Sequence, residues 1–160
     1  MKGHQNVTVS PEVVLFEPEI PPNTGTIARL CAALRTPLHL IEPLGFHLDD
    51  TNLRRAGLDY WPEVELRVWP DLATLLASRP EAGHWWITKH GHQRYHEVTY
   101  APDDLLIFGK ESAGLPPERL ATEPQRTVSL PMDNPAVRSL NLATVAAVVL
   151  YEARRQLRLF

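Results

Sequence analysis

The chain has 160 residues, 44% hydrophobic and 22% charged, with a net charge of −3 and a single cysteine, Cys31. That length suits one domain with a sizeable core, while a lone cysteine excludes an internal disulfide and a cysteine-built metal site. The first residues, MKGHQNVTVSPEVVLFEPE, lack a signal-type apolar run, and the longest apolar stretch, Val145–Leu150, is far short of the roughly 20 residues that span a bilayer. The expectation is a cytoplasmic protein with no membrane segment.

In chain order, residues 1–10 read as a loose extension. Val13 to Glu17 reads as a strand, followed by a helix over 24–35 with Ile27, Leu30, Cys31 and Leu34 on one face. Asn23 or Thr24 is the natural N-cap of that helix. Leu38 to Glu42 is a second strand, and 51–57 a short helix closed by Gly57. Strands are expected at Glu65–Trp69 and His84–Lys89, with a helix over Asp71–Ser78 between them. Further strands fall at Asp104–Gly109 and Thr127–Leu130, the last stopped by Pro131. The final helix runs from Asn141 to about Leu157, with Leu142, Val145, Ala146, Val149 and Ala153 as its apolar stripe. Strands alternating with helices make this an α/β protein with a mostly parallel sheet.

Familiar nucleotide cradles are missing. No G-x-G-x-x-G follows the first strand, Gly109-Lys110 has no upstream glycine partner for a phosphate loop, and no G-x-S-x-G elbow occurs. His90, His92 and His96 fall within seven residues, yet no cysteine accompanies them, and a solvated loop explains them better than a metal site. No metal is expected. Net acidity argues against binding nucleic acid by overall charge, but Arg54-Arg55 and the Arg-rich end at 151–160 leave room for a local basic face.

Three segments carry chemistry. In Pro18–Arg29, the paired prolines Pro21 and Pro22 stiffen a loop ahead of a helix start, and Arg29 emerges one and a half turns later, able to fork onto a phosphate. A capped helix with a solvated arginine is the plainer reading. In Leu105–Pro116, a strand ends at Gly109, where a ligand could approach bare backbone, and Glu111 follows; an ordinary strand–turn reads equally well. In Val128–Ala143, Ser139 and Asn141 are N-cap residues at the end of a loop that is long for a simple link.

Together these segments resemble the three motifs of the SpoU (TrmH-like) branch of the SPOUT RNA 2′-O-methyltransferases: Asn23-Thr-Gly25 through Arg29, Phe108 through Pro116, and Arg138 through Leu142. Finer stretches, Glu17–Gly25, Arg54–Tyr60 and Tyr151–Leu157, are similar to the TrmL group, which methylates the wobble nucleotide of tRNA. The chain departs from that pattern at Lys110 and over Asp133–Val137.

The resemblance implies a Rossmann-like sheet with a C-terminal trefoil knot and S-adenosylmethionine as methyl donor. It implies catalytic roles for Asn23, Arg29, Glu111, Ser139 and Asn141. Cofactor contacts would come from Ile87, Gly109, Glu111, Leu130, Ser139 and Leu140. RNA contacts would come from Arg29, Arg54, Arg55, Arg138, Arg154 and Arg155. It further implies a homodimer with a composite active site that takes the tRNA anticodon stem-loop. The alternatives are a related enzyme acting on rRNA or another tRNA position, and an inactive RNA-binding protein of the same fold.

Overall fold

A computed structural model describes residues 9–160, the side chains of 56–59 aside. Of the N-terminal extension expected over 1–10, residues 1–8 lie outside the described residues.

Seven strands form one sheet: β1 (Glu12–Phe16), β2 (Leu38–Ile41), β3 (Leu66–Trp69), β4 (His84–Ile87), β5 (Gln93–Arg94), β6 (Leu105–Phe108) and β7 (Thr127–Ser129). Their order is β3-β2-β1-β6-β4-β7-β5, and every pairing is parallel. Parallel strands need covered faces, and the strand sequences are apolar on both: β1, β2 and β6 are buried at nearly every position.

The helices are α1 (Pro21–Ala33), α2 (Thr51–Gly57), α3 (Leu72–Ser78), α4 (Pro117–Thr122) and α5 (Leu142–Gln156), with 3-10 turns at Leu58–Glu63 and Pro124–Arg126. Alternation along the strands splits the core in two. Val13, Leu15 and Phe108 point to a layer filled by Ile27 and Cys31 of α1 and Ala146, Val149, Leu150 and Ala153 of α5. Val14, Leu105 and Ile107 point to the other layer, closed by Leu72 and Leu75 of α3 and by Leu115. The apolar stripe expected on the last helix is thus the face that docks.

The structure corrects the sequence reading at several points. Helix α1 starts at Pro21, three residues before the expected Thr24, with Ile20 at the N-cap and no side-chain cap. Proline's fixed φ and missing N–H are harmless at the first helical position, so the two prolines open the helix rather than stiffen a loop before it. Thr24 does not cap; its buried Oγ1 has no partner among the described residues. The histidine segment is not all loop, because Gln93–Arg94 pairs with β7 as the edge strand β5. Likewise α4 forms where no helix was expected; at six residues it is too short to show an apolar period.

The first strand ends at Phe16, because Glu17 adopts a positive φ of 47°. At the opposite, amino-terminal end of the sheet, the nearly buried Glu12 is ion-paired with Arg79 and lies 3.6 Å from Nε2 of the fully buried His39. Burial opposes ionisation there, but the hydrogen bonds and charges of His39 and Arg79 hold the Glu12 carboxyl below its ordinary value.

Candidate functional site

The sheet order reverses between β1 and β6: chain connections run from β1 outward through β2 and β3 on one side, and the later strands lie on the other. In an open parallel sheet, ligands bind outside the carboxyl ends of the strands at such a switch point. Two of the three chemistry-bearing segments leave the sheet there. Leu15 pairs with Phe108, so the Pro18–Ile20 turn and the Gly109–Glu111 turn emerge as neighbours.

Glu111 joins them. Its Oε2 accepts the backbone N–H of Glu19 at 2.8 Å and of Ile20 at 3.2 Å. A carboxylate thus sits at the start of α1, where a helix dipole favours negative charge, and replaces the side-chain cap that the helix lacks. Ser112 reinforces the junction by donating to Glu19 Oε1 at 2.6 Å. The other Glu111 oxygen, Oε1, is buried with no partner among the described residues. A buried carboxylate oxygen without a donor calls for one, and a bound ligand is a ready source.

Gly109 is required for a different reason than the sequence suggested. A Cβ there would meet Gly114 C at 2.4 Å and Leu115 N at 2.5 Å. The 110–115 loop folds back over it, with Gly114 N bonded to Lys110 O at 2.9 Å and Gly114 at φ 67°. Its lack of a side chain therefore lets the loop that carries Glu111 close up, rather than opening bare backbone to a ligand on that side.

The third segment arrives from α5. Asn141 caps that helix, its Oδ1 accepting from Ala143 N at 2.9 Å and Thr144 N at 3.3 Å. Its amide also donates to Asn23 Oδ1 in the first turn of α1, at 3.0 Å. Asn23, Glu111 and Asn141, far apart in sequence, therefore converge on the amino end of α1.

Arg29 does not join that knot of contacts. It is exposed, its guanidinium lies 4.7 Å from the centre of the Tyr60 ring, and Nη2 is 3.5 Å from the Tyr60 hydroxyl. Tyr60 itself is 42% exposed, so the pair forms a surface platform with the guanidinium's remaining donors free. Sequence reasoning gave Tyr60 no role of its own; the aromatic ending the Arg54–Tyr60 stretch was the available signal.

Ile87 is buried at the end of β4, in register with Phe108 on one side and Val128 on the other. Thr88 N bonds to Val128 O at 2.9 Å. The exits of β4, β6 and β7 are therefore adjacent, and Ile87, Gly109 and Leu130 mark them. Ser139 and Leu140 are exposed, Leu140 at 40%, on the loop entering α5.

The expected basic face is divided. Arg54 is exposed and stacks 5.5 Å over Trp61, and Arg55 is exposed. Arg155 chelates Glu152, and Arg154 donates to Ser10 Oγ at 3.0 Å and to Leu159 O at 3.5 Å. Arg138 is exposed on the wall of an open cleft of about 570 Å³. No group of three histidine, cysteine or acidic residues able to hold a metal ion occurs among the described residues. None of the helices is long and apolar enough to cross a membrane, again among the described residues.

With this geometry in place, the comparisons with known proteins are specific. The family model described as the SpoU rRNA Methylase family matches residues 10–151. The chain is 49% identical over 149 residues to the tRNA (cytidine(34)-2′-O)-methyltransferase of Burkholderia pseudomallei, covering 90% of this chain and 94% of that one. It is similar to a solved structure described as "Structural insights into the 2-OH methylation of C/U34 on tRNA", with TM-score 0.89, 46% identity, and coverage of 96% and 99%. It is also similar to the SpoU methyltransferase AviRb of Streptomyces viridochromogenes in complex with the cofactor AdoMet. There the TM-score is 0.83 and the identity 26%, covering 96% of this chain and 62% of that one.

Proposed function

The chain belongs to the SpoU rRNA methylase family, and on that footing we propose that it transfers the methyl group of S-adenosylmethionine to the ribose 2′-hydroxyl of C or U at position 34, the wobble nucleotide of tRNA. The observation that carries the reading is the meeting of Asn23, Glu111 and Asn141 at the β1/β6 switch point, together with 49% identity across 90% of the chain to a relative named as a wobble-position enzyme.

The cofactor's fit rests on two features. The adjacent exits of β4, β6 and β7 offer backbone donors and acceptors at Ile87, Gly109 and Leu130, and the resemblance adds Ser139 and Leu140 from the exposed loop that enters α5. Glu111 Oε1 is an unpartnered buried acceptor, which suits a positively charged ligand. S-adenosylmethionine supplies, when bound, an electrophilic methyl on a sulfonium.

The protein's part is to place the ribose oxygen in line and help its proton leave. Arginine stays protonated in proteins, so Arg29 acts by position: its planar fork holds a phosphate of the RNA and the 2′-hydroxyl in one geometry, and the proton departs to phosphate or water. Tyr60, stacked under the guanidinium, limits the rotamers that Arg29 must give up on binding. Asn141 and Glu111 fix the start of α1, which carries Asn23 and, further along, Arg29; Ser139 is two residues before Asn141, exposed on the loop that enters α5.

The rest of the reading follows the family resemblance. The substrate element is the anticodon stem-loop, the working unit is a homodimer whose site uses both copies, and the compartment is the cytoplasm. Arg54, Arg55, Arg138, Arg154 and Arg155 are its candidate RNA contacts; the first three stand most open. The trefoil knot belongs to it as well. In its support, β7 lies between β4 and β5, both formed earlier in the chain. The Gln156 side chain then bonds Val98 O at 2.9 Å and Tyr100 N at 3.1 Å, tying α5 to the segment between β5 and β6.

The test is methylation of total tRNA by the purified protein with S-adenosylmethionine, followed by mapping of the modified nucleotide. A 2′-O-methyl group at position 34 is expected. Methylation confined to rRNA or to another tRNA position would overturn the proposal.

A further inference from the structure

The expected basic face leaves a charge problem. Arg154 and Arg155 are engaged within the chain, and the protein as a whole carries −3, yet a polyanionic substrate must be held somewhere. An open cleft beside the candidate site answers this. It has a volume of about 570 Å³ and lies between the turn after β4 and the loop after β7. Lys89, Arg94 and Arg138 line it, with His90 beside them and Asp133 as the one carboxylate. Three permanent cations against one anion make it locally positive in an acidic protein.

The cations are also available. Among the described residues, Lys89, Arg94 and Arg138 make no ion pair and no side-chain hydrogen bond, whereas Arg67, Arg79 and Arg155 are each paired with a glutamate. Like charges gathered without counter-ions repel one another, so the arrangement gains most when an anion enters. Two of the three are arginines, whose forks match phosphate oxygens. The walls are fixed at both ends: Arg94 sits on β5, paired to β7 at Ser129, and Asn134 Oδ1 accepts Ala136 N at 2.9 Å in the opposite loop.

The position relates the cleft to the reaction. Arg138 is three residues before Asn141, at most about 10 Å of chain, so the cleft opens beside the candidate site. Of the candidate cofactor residues, only Leu130 lines it.

We propose that this cleft is a subsite for the phosphodiester backbone of the substrate RNA, with Lys89, Arg94 and Arg138 as its phosphate ligands. The proposal rests on the reading that the substrate is RNA. It gives a role to the basic and histidine-bearing segment 89–94, which the catalytic assignment leaves unused. Asp133 sets the limit on affinity from the opposite wall.

The experiment uses the whole protein and unfractionated tRNA. Affinity is measured against salt concentration for the wild type, Lys89→Gln, Arg94→Gln, the double variant and Asp133→Asn, with S-adenosylmethionine affinity measured alongside. Each lost phosphate contact should lower the slope of log K against log salt by about 0.7–0.9. Each single variant should weaken tRNA binding several-fold and the double variant tenfold or more. Asp133→Asn should strengthen it, and cofactor affinity should not move.

Lys89 and Arg94 are exposed, so glutamine at either should carry no folding cost, and a thermal melt of each variant checks this. Unchanged slopes and affinities in the double variant would overturn the proposal. So would a loss of cofactor affinity in place of tRNA affinity, since the cleft would then hold the cofactor's carboxylate. An enzyme that binds tRNA with the expected slopes but methylates no position 34 would sink the functional reading and leave the cleft standing.

Discussion

Replacing Glu111 by alanine removes the carboxylate that ties the β6 exit to the start of α1, leaving only the Ser112–Glu19 contact between the two turns among the described residues. The carboxylate accepts two backbone N–H groups, at 2.8 and 3.2 Å, and hydrogen bonds to a charged acceptor contribute about 1.5–3 kcal/mol each. The two share one oxygen, and the longer one is solvent-exposed, which brings the expected loss to about 2–3 kcal/mol. For a chain of this size that is a fall in Tm of about 5–10 °C. Activity should suffer more than stability. Freed from its anchor, the start of α1 shifts, and an error of about 1 Å in a reacting group can cost on the order of 100-fold. Glu111→Gln separates the two effects. It keeps an acceptor oxygen for the backbone N–H groups but loses the charge, and places an amide N–H₂ where the unpartnered Oε1 now lies. Its Tm should stay within a few degrees of wild type while S-adenosylmethionine affinity and turnover fall at least tenfold. The assays are thermal melts, calorimetric titration of the cofactor, and transfer of labelled methyl to tRNA. If Glu111→Ala melts within about 1 °C of wild type and turns over within threefold of it, the anchoring argument is wrong.

Other substitutions probe the remaining contacts. Arg29→Lys keeps the charge but loses the planar fork and the fit over Tyr60, and should lower kcat/KM for tRNA at least tenfold; near-normal turnover would refute a bidentate positioning role. Asn141→Asp retains the oxygen that caps α5 but loses the donor to Asn23. Its Tm should hold while methyl transfer falls, whereas Asn141→Ala should also destabilise by about 1 kcal/mol. Glu12, at the far end of the sheet, has a carboxyl held below its ordinary value near 4.5. Its contribution to stability is therefore complete above about pH 4.5 and is lost as the pH falls through the folded-state value. Glu12→Gln should flatten the acid limb of a Tm-against-pH curve without changing methyl transfer; an unaltered acid limb would show that Glu12 is not ionised in the fold.

The sequence made the architecture legible because its signals are local. Buried strands such as Val13–Phe16 and Leu105–Phe108 are short apolar runs, and α5 carries a stripe at helical spacing. What it hid depends on partners far along the chain. The two residues of β5 become a strand only because β7 lies beside them, and no two-residue pattern announces that. The start of α1 was misplaced because asparagine and threonine advertise a cap, while the acceptor actually used comes from Glu111, 92 residues away from Glu19. The three motifs contain Asn23, Glu111 and Asn141, which the structure brings together; the contacts by which they meet were not legible. Gly109 serves the closure of its own loop, and Arg29 rests on Tyr60, an aromatic ring outside the three motifs.

The same distances explain why the site should be separable from the fold. Its two pins, Glu111 to the α1 start and Asn141 to Asn23, span 92 and 118 residues, so neither can form before β6 and α5 have docked. Docking does not depend on them. It is driven by fully buried apolar side chains, Val149, Leu150 and Ala153 of α5 against Ile27 and Cys31 of α1, which exceed any exposed polar contact in apolar area removed from water. The core therefore brings the elements together, and the pins settle their ends to the sub-ångström precision that methyl transfer needs. It follows that substitutions at the pins change geometry before they change folding. A variant such as Asn141→Asp can thus fold, bind RNA through the cleft of Lys89, Arg94 and Arg138, and still present the ribose wrongly.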